Sequence, residues 1–340
     1  MNTHTISTTS RRRLLGALPA VMPALLPAGW LLPASARAAE TIRLPGPVNI
    51  IVPYPPGGQG DVFARLIATR LGAMLEQPVI VDNRPGGTGA LGARLAARAK
   101  ADGCNLLMGQ TGEMAVNVAV VKSLGYDPLT DFRAVVLIGD SPLVLVVPAA
   151  APYDDLAGLL AAARGRAAGL DYASSGTATP GHIAGATLAL ASQTRLVHIP
   201  YKGAGQAMSD VLAGQVQMFF SSASAVVPYV QSGKLKALAV CSARRIAALP
   251  KVPTMAEAGF PKLAFSLWAG LFAPAATPEN IVEHLNRVVG DIVAEPAIRQ
   301  RLEAEGSAVA RNTPQVFADF VRRDVARYAE IIRETGIKAE

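Results

Sequence analysis

The chain has 340 residues, 51% of them hydrophobic, and 32 basic against 25 acidic side chains give it a formal net charge of +7. Two cysteines are too few for a disulfide scaffold, and the apolar excess is mostly alanine and valine, with no run beyond the N-terminal segment long enough to cross a bilayer. The basic residues of the main chain (Arg65, Arg70, Arg94, Arg98, Arg322, Arg323) are scattered, mostly at helical spacing, with no aromatic ladder between them, which excludes a nucleic-acid surface.

The first element is a cationic start, Ser10-Arg11-Arg12-Arg13-Leu14-Leu15, with no acidic residue before Glu40. An apolar stretch from Leu14 to about Leu32 follows, broken by Pro19, Pro23, Pro27 and Pro33 and ending in small residues, Ala34-Ser-Ala36 and Ala36-Arg-Ala38. This reads as a signal peptide over 1–38, with paired arginines that point to the twin-arginine route and leave the Sec route open. Removing Arg11, Arg12, Arg13 and Arg37 leaves 28 basic against 25 acidic residues, a net charge of about +3. The expected mature protein is periplasmic and soluble. Cys104 and Cys241 are expected as free buried thiols, and neither follows the signal as a lipid acceptor.

The rest of the chain alternates short apolar runs with amphipathic ones, the α/β pattern. Strands are expected at Val48–Tyr54, Pro78–Asp82 and Asn105–Gly109, with a helix from Asp61, its expected N-cap, to Leu71 and an alanine-rich helix ending at Lys100. The segment Ala134–Pro148 reads as two adjoining strands broken at Gly139-Asp-Ser-Pro142, a crossing between domains. Helices at Asp155–Arg166, His182–Ser192 and Ala204–Ala213 then alternate with strands at Leu170–Ser175, Leu196–Tyr201, Gln215–Ser221 and Lys234–Cys241. Leu263–Pro274 is a return crossing, and three helices from Pro278 break at Pro296 and Pro314. Residues 39–140 and 264–340 thus form domain 1, with 141–263 inserted as domain 2 and a ligand cleft between them.

Four loops after strands are rich in glycine, proline and hydroxyl residues: Tyr54–Asp61, Asn83–Gly89, Gly109–Gly112 and Ser174–His182. Backbone N–H groups at helix starts suit such loops to holding a carboxylate without an arginine. Gly87-Thr-Gly89-Ala-Leu-Gly92 also matches the dinucleotide G-x-G-x-x-G pattern, with Glu113 about 20 residues on. An exported NAD(P)-dependent oxidoreductase is therefore the alternative. The histidines His182, His198 and His284 form no metal or hydrolase motif, and neither a G-x-S-x-G elbow nor an HExxH helix is present. No catalytic residue, cofactor or metal is expected. His284 reads as a helix-surface residue and His198 as a strand residue, whereas His182 stands at a helix start where it can orient the preceding loop.

These loops carry a family resemblance. The segments Val52-Pro-Tyr-Pro-Pro-Gly-Gly-Gln-Gly-Asp61, Val81-Asp-Asn-Arg-Pro-Gly-Gly-Thr-Gly89, Tyr172-Ala-Ser-Ser-Gly-Thr-Ala-Thr-Pro-Gly-His182, His198-Ile-Pro-Tyr-Lys-Gly203 and Val252-Pro-Thr-Met-Ala-Glu-Ala-Gly259 resemble, in order and spacing, the Bug family of extracytoplasmic solute receptors. These are the binding proteins of tripartite tricarboxylate transporters. The resemblance covers the mature chain and implies an α/β, two-lobed periplasmic binding protein (Venus-flytrap) fold, its second domain inserted into the first, that closes on a small organic acid. It implies transporter membrane subunits as partners, and we expect a monomer.

The implied ligand residues are Tyr54, Gly57, Gly58, Gln59 and Asp61 on one lobe and Ser174, Ser175, Thr179 and His182 on the other, with Tyr201, Thr111, Ser221 and Ser222 as further candidates. Many members have an aspartate after the strand that here ends Val216-Gln-Met-Phe-Phe220, where it can pair with the amine of a bound amino acid. This chain has Ser221 and Ser222 there. A serine cannot neutralise a buried ammonium, so the expected ligand is a carboxylate other than an amino acid.

Overall fold

The computed structural model describes residues 42–304, 306–307 and 311–338. The signal segment expected over 1–38 lies outside the described residues. Three strands begin the fold: β1 (Val48–Val52), β2 (Val79–Asn83) and β3 (Asn105–Gln110), with β1 paired in parallel to the other two. Val48, Ile50, Ile51 and Val52 are all buried, as a strand covered by helices on both faces requires. The crossover helices are α1 (Gln59–Leu75) and α2 (Ala90–Ala97). After β3 the chain makes a five-residue π-turn, Gly112–Val116, and the short helix α3 (Asn117–Val120), neither of which the sequence reading expects.

β4 (Phe132–Pro148) is 17 residues long and unbroken, where a break at Gly139–Pro142 was expected. The reason is its partner. β9 (Ser266–Pro274) runs antiparallel beside it and holds Asp140, Ser141 and Pro142 against Trp268, Leu267 and Ser266. Register shifts at Ala134/Val136 and Leu137/Gly139 take up the irregularity. From Leu143 onward β4 pairs instead with β7 (Met218–Ser222) and β8 (Leu235–Val240), so Pro142, which lacks an N–H, falls where partners change.

The second half adds α4 (Leu156–Arg164), β5 (Leu170–Ser174), α5 (Pro180–Ser192), β6 (Leu196–Pro200), α6 (Ala204–Leu212) and α7 (Ala223–Gln231). α7 contains Pro228, a residue that costs a helix interior about 3 kcal/mol and so hid this helix from sequence reading. Burial of Ala223, Val226 and Val227 outweighs it. The chain ends with α8 (Glu279–Ala294), α9 (Pro296–Ala304) and α10 (Pro314–Thr335).

The strand order β2-β1-β3-β9-β4-β7-β5-β6 makes two half-sheets joined through β4 and β9, a two-lobed arrangement. One core packs α1 and α8 on the first half, a second packs α6 and α7 on the second. A third runs through both halves beneath α10, with Trp268 wholly buried at its centre and its indole N–H donating to Asp324 Oδ2 at 2.7 Å.

Strand directions fix what the halves present to each other. β3 is antiparallel to β9, and β9 to β4, so β1–β3 run the same way as β4, towards the second half. β7 is antiparallel to β4, and β5 and β6 are parallel to β7, so these three run towards the first half. The carboxyl ends of both strand sets therefore point towards the crossing.

Candidate functional site

The sequence-predicted site residues sit at these carboxyl ends or in the loops and helix starts that follow them: Tyr54–Asp61 after β1, Thr111 after β3, Ser174–His182 after β5, Tyr201 after β6, and Ser221 and Ser222 closing β7. The helices that start there lack N-cap side-chain bonds, although on α1 the Gly60 N–H donates to Gln110 Oε1 at 3.2 Å. α1 begins behind Gly58, α5 behind Thr179, α6 behind Gly203 and α7 behind Ser222, and none of these residues caps its helix with a side-chain hydrogen bond. Among helices that start elsewhere, α4 is capped by Asp155 and α10 by Thr313, while α8 follows Pro278 uncapped. An uncapped start leaves backbone N–H groups free to donate, at the positive end of the helix dipole.

On the first half, Gly57 and Gly58 are exposed, and Gly57 has a φ of 86° that a side chain would strain. Gln59 reaches across to the crossing strand, its amide donating to the Leu267 carbonyl at 2.9 Å. Asp61 is not the N-cap expected; it lies inside the first turn of α1 and holds the loop by accepting the Gly57 N–H at 3.0 Å. Arg65 and Asn83 also donate to it. Burial pushes the Asp61 carboxyl up, but the hydrogen bonds from Arg65, Gly57 and Asn83 prevail and hold its pKa below the ordinary value. Thr111 is fully buried and its hydroxyl accepts the Trp268 N–H at 2.9 Å, so it fastens β3 to β9 rather than facing a ligand.

Sequence reading missed Glu113 except as a possible ribose-binding acid. It is wholly buried in the π-turn, accepting the Gln110 N–H on Oε1 and lying 2.8 Å from the Tyr54 hydroxyl through Oε2. Burial pushes its pKa up to about 8, against the pull of its hydrogen bonds. Tyr126 donates to its carbonyl at 2.6 Å, and the Tyr54 hydroxyl also lies 3.2 Å from the Thr88 carbonyl. Tyr54, Thr88 and Glu113 thus join the loops after β1, β2 and β3 into one unit. A single acid after a strand carries no sequence signal for such burial.

On the second half, Ser174 is fully buried, its hydroxyl 2.6 Å from His198 Nε2 and 2.8 Å from the Gly176 carbonyl. His198, read from sequence as a plain strand residue, therefore holds the loop from the neighbouring strand. His182 does the same from the helix side: its Nδ1 accepts the Ala178 N–H at 3.0 Å, fixing a residue at φ 57°. The two imidazoles stack, ring centroids 3.6 Å apart and planes within 4°. Burial pushes His182 down to about 4; burial, then the neighbouring His182, does the same to His198. Ser175 is exposed and Thr179 half-exposed. Ser221 and Ser222 are buried, with the Ser222 hydroxyl 3.0 Å from that of Ser224, and the Tyr201 hydroxyl donates to Asp210 at 2.7 Å.

The Gly87-Gly89-Gly92 loop has a local use. A Cβ on Gly92 would lie 2.8 Å from Pro53, and one on Gly89 3.0 Å from the Tyr54 hydroxyl and 3.1 Å from Glu113, so these glycines let α2 and its turn pack against the loop after β1. Both cysteines are free and buried, and among the described residues no helix is long and apolar enough to cross a membrane.

Known proteins share this fold. The profile of the tripartite tricarboxylate transporter family receptor (TctC) matches residues 63–337. Protein BugT of Bordetella pertussis is 36% identical over 293 residues, covering 86% of this chain and 90% of that protein. An R. palustris protein solved with adipate is 32% identical with a TM-score of 0.80, covering 86% of this chain and 98% of that one. MatC from Rhodopseudomonas palustris with bound malate is 31% identical with a TM-score of 0.76, covering 84% and 98%. Nothing among them supports the oxidoreductase alternative. The chain belongs to the tripartite tricarboxylate transporter receptor family, with the two-lobed fold of periplasmic binding proteins.

Proposed function

We propose that this chain is a solute receptor that works in the periplasm after loss of residues 1–38, capturing a small organic carboxylate between its lobes and delivering it to the membrane subunits of a tripartite tricarboxylate-type transporter. It acts as a monomer and a receptor rather than an enzyme. One lobe comprises 39–140 with 264–340 and the other 141–263. The observation that carries this reading is that the uncapped starts of α5 and α7 and the exposed Gly57–Gly58 loop lie at the carboxyl ends of strand sets that point towards the same crossing, a ready seat for carboxylates. Adipate and malate in two relatives match that chemistry. The ligand contacts proposed are the loop Gly57–Gln59 and the α5 and α7 starts, at Ser175, Thr179 and Ser222, with Tyr54, Asp61, Ser174, His182, Thr111, Tyr201 and Ser221 holding those loops in place.

The ligand is not an amino acid. The edge acids cannot serve an ammonium: Asp61 is already neutralised by Arg65, and Glu113 is buried with a raised pKa. Calorimetry with succinate against aspartate, and glutarate against glutamate, tests this, with the deaminated acid expected to bind at least ten-fold tighter. The receptor reading itself is tested by thermal shift: an acid at 100 times its dissociation constant adds about 2.7 kcal/mol. Stabilisation by NAD(H) and by no acid would overturn it.

A further inference from the structure

Among the described residues, a large, partly open cavity lies apart from the loops described above. It encloses about 870 Å³, and its walls come from the segment after β8 (Arg244 to Ala248), from the crossing strands (Asp140, Phe265) and from α10. None of the sequence-predicted site residues lines it. A volume of this size suits a ligand larger than a short dicarboxylic acid.

Its chemistry is amphiphilic. Phe265, Phe320 and Ile246 supply apolar wall, and four guanidiniums line the rest: Arg244, Arg245, Arg323 and Arg327. Arg327 is held by Asp324 at 2.8 Å and stacks over the Phe265 and Tyr328 rings, and Arg245 pairs with Glu257 at 3.0 Å. Arg244 and Arg323 are exposed, and among the described residues neither makes a salt bridge. Three carboxyls also line the cavity. Asp324 is taken up by Arg327, Asp140 is hydrogen-bonded to Ser266 and raised in pKa by burial, and Glu303 remains. Two guanidiniums outside any salt bridge among the described residues, Arg323 feeling only the charge of Asp319 nearby, favour a planar anion, which they can grip by charge-assisted hydrogen bonds and stacking.

We propose that this cavity is a second binding site, for an amphiphilic aromatic anion, seated on the partly exposed Phe320 and Ile246 with its charged group between Arg244 and Arg323. It is independent of the cleft that takes the small carboxylate.

The probe is 1-anilinonaphthalene-8-sulfonate, which fluoresces in an apolar seat and carries a sulfonate for the arginines. Titrated into the folded receptor, it is expected to bind saturably at one site. The Arg244→Ala/Arg323→Ala variant, which removes two solvent-facing side chains, should weaken it about ten-fold with an unchanged melting temperature. Ala247→Trp, which fills the cavity, should abolish it. Ser175→Asp, in the carboxylate cleft, should leave it unaltered. Affinity within two-fold of the parent in both cavity variants, non-saturable binding, or loss of binding in Ser175→Asp would each overturn the assignment. Because the readout is the probe and not an organic acid, its failure is separate from failure of the receptor reading.

Discussion

The hydroxyl of Tyr54 lies 2.8 Å from Oε2 of Glu113, and through this contact the loop after β1 is tied to the turn after β3. With Glu113 protonated, as a pKa of about 8 makes it at neutral pH, the contact reverses: the carboxylic O–H donates to the phenol oxygen, and the phenol donates to the Thr88 carbonyl at 3.2 Å. Every hydrogen bond in the cluster is then satisfied without a buried charge.

Glu113→Gln copies that protonated form, with its amide donating to Tyr54 and its carbonyl accepting the Gln110 N–H. The parent's folded pKa is raised above the unfolded value, so the folded state holds a proton that the unfolded state releases. Stability is therefore lost as pH rises from about 4.5 to about 8, at no more than about 1.4 kcal/mol per pH unit. Urea unfolding of both proteins across that window should show the variant gaining on the parent as pH rises. A pH-independent difference would mean that Glu113 is ionised in the fold.

The stacked histidines give the opposite slope. Their folded pKa values of about 4 lie below the ordinary 6.5, so their contribution is present above pH 6.5 and is lost as pH falls towards 4. His198→Gln keeps a polar contact to Ser174 but cannot charge. Its melting temperature should fall less than the parent's between pH 6.5 and 4; equal falls would place acid sensitivity elsewhere.

Ser174 and Ser175 separate loop architecture from ligand contact. Ser174 is buried against His198, so Ser174→Asp should destabilise the fold by about 2 kcal/mol or more, whatever the ligand. Ser175 is exposed, and Ser175→Asp should leave the melting temperature within a degree or two while weakening organic-acid binding at least ten-fold by like-charge repulsion. Calorimetry and thermal melts on the pair check this. Unchanged affinity in Ser175→Asp would remove that residue from the cleft.

The order of strands and helices was legible because nearly every buried strand is an apolar run bounded by glycine or proline, and because α8 and α10 carry clear amphipathic periodicity. Where reading failed, tertiary contacts overrode a local signal. Pro228 inside α7 and Pro142 inside β4 are breakers whose cost is met by burial and by β9, neither of which leaves a mark in the neighbouring sequence. The glycine and hydroxyl loops lie at the carboxyl ends of strands, as read, but Thr179 and Ser222 leave their helix starts uncapped although their residue types favour capping, which no sequence signal shows. What sequence could not separate was which side chains meet solvent and which brace the loops. Ser174 and Ser175 are chemically identical neighbours, and only the alternation of β5 and the reach of His198 from β6 send one inward.

The opposed strand ends have a further effect on the empty protein. If the receptor closes as proposed, the uncapped positive ends of α5 and α7 would be carried towards the first lobe with no charge to offset them. An anion in the gap would supply that charge. The bound acid is then the counter-ion for closure, and the shut state should grow more accessible without ligand as ionic strength rises and screens the helix ends.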